Sequence, residues 1–85
     1  MQPKEVTLAS LSNLRPGESG LIREMRPTKT NLRHRLMEMG VLTGSRIELI
    51  RVAPFGDPLE VRVCGYRLSL RKVEAESVLV SKDPP

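Results

Sequence analysis

A short helix that ends at a glycine is the feature of this sequence that most constrains its fold. Leu32, Leu36 and Met39 recur at i, i+4 and i+7, so they share one helical face that we expect to be buried. Gly40 supplies the left-handed conformation that commonly closes a helix, and residues 41–42 can fold back on it. The candidate N-caps, with Asn31 preferred, are Thr28, Thr30 and Asn31. Because so short a helix is marginal in isolation, it must pack against strands.

The best-defined strands are predicted to form a hairpin over residues 46–53 and 59–63. Pro54, Gly56 and Pro58 lie between them and indicate a tight reversal of the chain. In the second strand apolar and charged residues alternate with a period of two, which is typical of one buried and one solvated face.

The first strand of this hairpin is less regular. Its apolar residues fall on both parities: Ile47, Leu49, Ile50 and Val52. A β-bulge near residues 49–50 would keep all of them inward, so we predict one there. The same register places Arg51 opposite Glu60 on the solvated face.

Three further segments have the pattern of short strands, at residues 20–25, 66–70 and 78–80. Residues 71–77 are predicted to form a tight turn or a short helical turn. The chain is therefore mainly β, with about five short antiparallel strands and one short inserted α-helix. No βαβ spacing is present, so we expect a small antiparallel β-barrel whose closure removes the exposed sheet edges.

The length of 85 residues indicates one domain with a small core. That core must be aliphatic, since the chain has one Phe, one Tyr and no Trp. The polar, proline-bearing ends at residues 1–6 and 81–85 are expected to be flexible, which leaves residues 7–80 as the folded domain.

Cysteine use and hydropathy predict where the protein resides. Cys64 is the single cysteine, which excludes an internal disulfide and favours a reducing compartment. No apolar stretch approaches the roughly 20 residues that cross a bilayer, and residues 1–5 have no apolar signal region. We therefore expect a cytoplasmic protein without a direct membrane span.

Positive charge is concentrated ahead of and within the predicted helix. The net charge is +4, and the basic residues of this region are Arg23, Arg26, Lys29, Arg33 and Arg35. Glu24 is the only acid among residues 23–35. Arginine suits bidentate contacts to carboxylate or phosphate, so an acidic partner surface would fit. An ordinary solvated face is the favoured alternative.

The order of glycines, apolar residues and the proline-flanked turn forms a specific pattern over residues 7–80. It consists of Leu8, Leu11, Pro16, Gly17, Gly20, Ile22, residues 35–41, Gly44, residues 54–58, Gly65, residues 68–71, Glu74 and Ala75. In this pattern the chain resembles the FeoA family. The helix-glycine motif followed by the Gly56-Asp57 turn is the most specific part of the resemblance.

The resemblance implies an SH3-like β-barrel and a small cytoplasmic accessory protein of the Feo ferrous iron uptake system. Proteins of this family are thought to act with the membrane GTPase FeoB, whose cytoplasmic domain would be the partner. A similar domain lies at the carboxyl end of iron- and manganese-dependent transcription repressors, and the standalone length favours FeoA.

Catalysis is not expected, because the sequence has no metal-binding HxxEH pattern, no Gly-rich phosphate loop and no recognisable Ser, His and Asp set. No cofactor is required by this interpretation. Nucleic-acid binding is also disfavoured, since Phe55 and Tyr66 are the only aromatic residues available for stacking on bases.

A divalent transition metal, iron or zinc, is the alternative ligand. His34 and Glu38 lie at i and i+4 on the helix and can share one ion, with a third ligand from another chain. An exposed His beside a helical Glu is the favoured interpretation. Cys64 is a soft candidate ligand, although a free cysteine is more often a small buried hydrophobe. Met25, Met37 and Met39 are expected to fill the core.

Binding of a protein partner fits the sequence best, and two surfaces are candidates. The first is the basic segment over residues 23–38, with Arg26, Lys29, Arg33 and Arg35 as the contact residues. The second is the hairpin tip at residues 54–58, with Asp57 and with Phe55 as an apolar contact if it is exposed. A phenyl ring folded over the barrel mouth is the alternative for Phe55. The sequence does not decide whether the protein forms a homodimer.

Overall fold

The computed structural model of this chain describes residues 7–83. Within that range the elements are β1 (Leu8–Ser10), a 3-10 helix (Leu11–Asn13), β2 (Ser19–Met25), α1 (Leu32–Glu38), β3 (Arg46–Val52), β4 (Leu59–Val63), β5 (Tyr66–Leu70), α2 (Lys72–Glu76) and β6 (Val78–Lys82). The predicted flexible segment at residues 1–6 lies outside the described residues.

All the strand pairs are antiparallel, which confirms the mainly β fold class. In residues 7–83 six strands form one sheet in the order β1-β6-β2-β3-β4-β5, so β1 and β5 are its edges and the strand ladder is not closed. The sequence predicts about five strands and misses β1, whose three residues are too few to show an alternating pattern.

The core is aliphatic, as predicted, and the helical segments contribute to it together with the strands. The buried cluster takes strand residues together with Leu11 and Leu14 from the 3-10 segment, Leu32 and Leu36 from α1, and Ala75 from α2. These helical segments therefore add buried apolar area to the core formed by the strands.

The end of α1 follows the predicted glycine closure. Gly40 has a φ of 82°, its N–H donates to the Met37 carbonyl at 3.0 Å, and the Val41 N–H donates to the Leu36 carbonyl at 2.9 Å. This pair of hydrogen bonds is a Schellman motif, and Val41 is fully buried against the core while Leu42 is exposed. Of the two residues predicted to fold back on the helix end, only Val41 therefore does so.

The start of α1 is at the preferred position but lacks the expected capping bond. Asn31 is the N-cap, and its side chain makes no capping hydrogen bond among the described contacts. Its φ of −86° and ψ of 29° depart from the extended conformation in which a cap side chain reaches the free amides of the first turn.

The bulge in β3 is confirmed, but the prediction that it keeps all four apolar residues of this strand inward is wrong. The register of β3 on β4 shifts between Leu49 and Arg51, and Arg51 pairs with Glu60 as predicted. Ile50 is the extra residue of the bulge. It is half-buried and stays outside the core cluster, so the bulge keeps three of the four apolar residues inward.

The folded domain extends past the predicted boundary at Val80. β6 continues to Lys82, and Lys82 pairs with Gly20 of β2. The Asp83 N–H donates to the Ser19 carbonyl at 2.8 Å, and the Asp83 carboxylate accepts from the Ser19 hydroxyl at 2.7 Å and from Arg46. Residues 81–82 therefore belong to the sheet and Asp83 is hydrogen-bonded to it, while residues 84–85 lie outside the described residues.

Gly20 lies at a position where β2 and β6 pair closely. It is buried, and a β-carbon built on it would lie 2.4 Å from the Ser81 carbonyl oxygen. β2 and β6 can approach this closely only because the position has no side chain.

Across residues 7–83, no helix has both the length and the apolar content needed to cross a membrane.

Candidate partner-binding surface

A buried carboxylate on α2 joins three segments of the chain. The Glu74 side chain is 5% exposed. It accepts hydrogen bonds from the Arg71 N–H at 3.0 Å, the Thr30 hydroxyl at 2.8 Å and Arg35 Nη2 at 2.7 Å. The first of these bonds caps α2, and the other two tie the loop before α1, and α1 itself, to α2.

The surroundings of Glu74 favour its charged form. Burial raises the pKa of this carboxyl, because the charged form loses hydration. The hydrogen bonds from Arg71 and Thr30, with the positive charge of Arg35, outweigh burial and hold the pKa below its ordinary value of 4.5. A carboxyl whose pKa is lowered on folding contributes stability above its unfolded pKa, and that stability is lost as the pH falls through the folded pKa.

Glu74→Gln is therefore expected to lower the free energy of unfolding at pH 7 by about 1 to 3 kcal/mol, since an amide cannot replace both charged acceptor oxygens. We also expect a smaller loss of stability below about pH 4.5 than in the wild type. Urea unfolding followed by circular dichroism at pH 7, 5, 4 and 3 measures both effects.

The exposed Glu76 on the same helix provides the matched control, because Glu76→Gln removes the same charge outside this network. Glu18 and Glu60 also have lowered pKa values through hydrogen bonds from Lys82 and Arg67, so some acid sensitivity persists in the variant. Equal losses for Glu74→Gln and Glu76→Gln would contradict the assignment.

Two grooves lie against the loop at residues 26–31, which we call the basic loop. The α1 groove, of about 330 Å³, is lined by Pro27, Thr28, Thr30, Asn31, Arg33, His34 and Met37. The α2 groove, of about 450 Å³, is lined by Arg26, Pro27, Thr28, Lys29, Thr30, Val73, Glu74, Glu76 and Ser77. The basic loop is thus a ridge between two concave surfaces.

The cations predicted to contact a partner fall into two groups. Lys29 and Arg33 are exposed and form no ion pair within residues 7–83. Arg26 pairs with Glu24 at 3.1 Å on the surface, a contact worth little in water. Arg35 pairs with Glu74 at 2.7 Å while its side chain stays 52% exposed, so its contact with a partner stays a prediction.

The hairpin tip exposes its aromatic residue. Phe55 is 99% exposed, so its ring does not fold over the sheet. Asp57 is tied to the domain, because one carboxylate oxygen accepts from the Lys72 N–H at 3.1 Å. The tip therefore presents one apolar side chain on a loop held against the start of α2.

Two of the three candidate metal ligands, His34 and Glu38, lie close together. His34 Nε2 lies 3.7 Å from Glu38 Oε1, and both side chains are largely exposed. Cys64 is exposed rather than buried, because it occupies the β4–β5 turn, where its Sγ lies 3.7 Å from the Gly40 carbonyl and from Ser45 Oγ. Over residues 7–83, no three His, Cys, Asp or Glu side chains are grouped as a metal site would require.

The methionines divide between core and surface. Met25 and Met39 are half-buried against the core cluster, as predicted, whereas Met37 is 51% exposed and lines the α1 groove. Met37 is on the solvent side of α1 because Leu36 occupies the buried face.

Glu74 is the site residue that sequence reasoning missed. It lies 39 residues from Arg35 and 44 from Thr30, so its partners have no local spacing. The available signal was a Glu at the third position of a short helix, which is where a carboxylate accepts from the N-cap amide.

Comparison with known families and sequences gives one consistent result. The family model described as the FeoA domain matches residues 9–82. A curated relative from Porphyromonas gingivalis, an Fe(2+) transport protein A/Fe(2+) transporter FeoB fusion protein, is 33% identical over 70 residues. That match covers 82% of this chain and 8% of the fusion protein, so this chain spans a small part of that relative.

Solved structures agree with the family match. The solution structure of the FeoA protein from Chlorobium tepidum is 32% identical with a TM-score of 0.77, over 86% of this chain and 70% of that one. The zinc-complexed FeoA of Stenotrophomonas maltophilia, described as a prokaryotic SH3 domain protein, is 30% identical with a TM-score of 0.74, over 88% and 95%. The fold of this chain is accordingly SH3-like.

Proposed function

Because this chain belongs to the FeoA domain family, we propose that it is a non-enzymatic, cytoplasmic accessory protein of ferrous iron uptake that binds and modulates the membrane GTPase FeoB. The chain acts in this proposal by contact with the cytoplasmic domain of FeoB, and neither carries iron itself nor contacts nucleic acid. Its rigid scaffold holds the contact residues on loops and on the outside of α1.

The observation that carries the proposal is the fusion relative. In that protein a segment 33% identical to this chain is covalently joined to a FeoB transporter. Covalent linkage gives two modules a high effective concentration, which is useful when their separate contact is weak.

The exposed features of this chain support a binding role. Lys29 and Arg33 lie beside two grooves, and Phe55 projects from the hairpin tip. Unpaired cations increase the rate of encounter with an acidic surface, and an exposed aromatic side chain is a frequent source of binding energy. We propose both surfaces as contacts, with Arg26 and Asp57 at their margins.

A metal-linked role is the second candidate, because the Stenotrophomonas maltophilia relative is complexed with zinc. His34 and Glu38 would supply two donors, nitrogen and oxygen, which suit zinc or ferrous iron. A second molecule would have to complete the coordination, and this would couple metal binding to dimerisation or to partner binding.

An NMR titration of the isotope-labelled chain with the soluble GTPase domain of FeoB from the same organism tests the first proposal. We expect localised shifts in the absence of metal, on the basic loop, α1 or the hairpin tip. A second titration adds zinc or ferrous ion without the GTPase domain and tests for metal binding. Shifts that require metal and centre on His34 and Glu38 would replace the first proposal with the metal-linked one.

A further inference from the structure

The α1 groove and the α2 groove share a wall. Pro27, Thr28 and Thr30 line both of them, so the grooves lie back to back on the two sides of the basic loop. A segment that crosses the loop therefore reaches both grooves within a few residues.

Hydrogen bonds fix the shared wall before any partner arrives. The Thr28 hydroxyl lies 2.9 Å from the Thr30 carbonyl oxygen and 3.1 Å from the Thr30 hydroxyl. The Thr30 hydroxyl donates to Glu74 at 2.8 Å, and the Arg26 N–H donates to the Ser77 carbonyl at 2.8 Å. A loop held in this way loses little conformational freedom on binding.

The α1 groove has the chemistry to bind a carboxylate. Its lining contains the Arg33 guanidinium and, among the residues that the structure describes, no acidic side chain. Arg33 takes part in no ion pair there, and the Asn31 amide makes no capping hydrogen bond. A guanidinium can form two parallel hydrogen bonds to a carboxylate, so an acidic side chain is the complementary occupant.

The α2 groove has a different character. Val73 is 64% exposed and lines this groove together with Pro27, while the Glu74 carboxylate that also lines it already accepts three hydrogen bonds. Lys29 and Glu76 also line this groove, and within residues 7–83 they form no ion pair with each other. An apolar side chain is the complementary occupant, because it removes Val73 and Pro27 from water.

We infer that FeoB contributes one segment carrying a carboxylate and an apolar side chain, which crosses the basic loop. The carboxylate binds Arg33 in the α1 groove, and the apolar side chain packs on Val73 in the α2 groove. The inference rests on the proposed function and assigns it a site and a partner chemistry. An anionic lipid surface fits less well, because a flat surface cannot enter two concave grooves.

The test compares matched variants of the full chain by calorimetric titration with the soluble GTPase domain of FeoB. Arg33→Gln is expected to weaken binding roughly tenfold, the effect of losing one charge-assisted contact. Val73→Thr is expected to weaken it about fourfold, the effect of one buried methyl group.

Two control variants make equivalent changes outside the grooves. Arg51→Gln lowers the net charge of +4 by one, as Arg33→Gln does, at an exposed residue that lines neither groove. Leu42→Thr likewise removes exposed apolar surface at another position. Both are expected to bind within about twofold of the wild type, because they leave the two grooves unchanged. Thermal melting of each variant confirms that the fold is kept.

Three outcomes would overturn the inference. Binding that is unchanged by Arg33→Gln and Val73→Thr would exclude these grooves while leaving the proposed function standing. Equal losses for Arg33→Gln and Arg51→Gln would indicate a nonspecific charge effect. Binding to phosphatidylglycerol vesicles, lost in Arg33→Gln, with no binding to the GTPase domain would replace the protein partner by a lipid and remove the proposed function as well.

Discussion

Leu36→Ala is expected to lower the free energy of unfolding by about 2 to 5 kcal/mol, because it opens a cavity beneath α1. Leu36 is 3% exposed, and its carbonyl also accepts the Val41 amide of the Schellman motif. Native domains have a total stability on the order of 5 to 15 kcal/mol, so a loss of this size removes a large fraction of it if this small domain lies near the lower end of that range. Urea unfolding monitored by far-ultraviolet circular dichroism is the suitable measurement, since the chain has no Trp.

Met37→Ala is the control on the next residue of α1. Met37 is half exposed and lies outside the core cluster, so its removal is expected to change stability by less than about 1 kcal/mol. Similar losses for the two variants would show that the helix face assigned to the core is wrong.

Gly20→Ala is expected to destabilise the fold by roughly 3 kcal/mol, at the upper end for overpacking. The added methyl would lie 2.4 Å from the Ser81 carbonyl oxygen and 3.0 Å from the Lys82 Cα. Both are backbone atoms, so no side chain can rotate away, and β2 and β6 must separate. The melting temperature and the hydrogen exchange of β6 amides measure this effect, with faster exchange expected at residues 80–82.

Substitution of Gly65 separates two reasons why replacing a glycine destabilises a protein, which are steric clash and backbone strain. It has a φ of 79° and open space around the position of a β-carbon, so its cost of substitution comes from conformation alone. Asn tolerates this conformation, and Gly65→Asn is therefore expected to be milder than Gly65→Ala. At Gly20, Asn should be at least as damaging as Ala. If Asn destabilised more than Ala at Gly65, or less than Ala at Gly20, the assignment of strain to Gly65 and steric clash to Gly20 would be wrong.

Regular patterns made most of the fold predictable. The period of two in β4 and the mixed parity in β3 together predict the hairpin, its bulge and the pairing of Arg51 with Glu60, because each depends on neighbours in sequence. Ile50 could not be placed in the same way. A bulge leaves one residue without a partner, and parity does not tell which apolar residue that is.

The candidate surface was less predictable, since its contacts join distant parts of the chain. The basic character of residues 23–38 is visible in the sequence. The sequence does not show which of Arg33 and Arg35 forms an ion pair within the domain. Glu74, which lies 39 residues further along the chain on α2, pairs with Arg35, whereas Arg33 forms no ion pair within residues 7–83. Exposure of Cys64 depends in a similar way on a turn geometry, φ of 51°, that residue types do not encode.

The strand order has a consequence for the timing of folding. β6 is the last strand in sequence, yet it lies inside the sheet between β1 and β2 and pairs with both. A nascent chain that has emerged from the ribosome only as far as α2 therefore has its first two strands separated and their facing edges open. The antiparallel meander β3–β5 can form from local contacts during synthesis. The pairings of β1 and β2 with β6 form only after residues 78–82 have been synthesised, and they require the closure of a long loop. Stalling or truncation before Val78 would thus leave an aggregation-prone intermediate rather than a smaller folded domain.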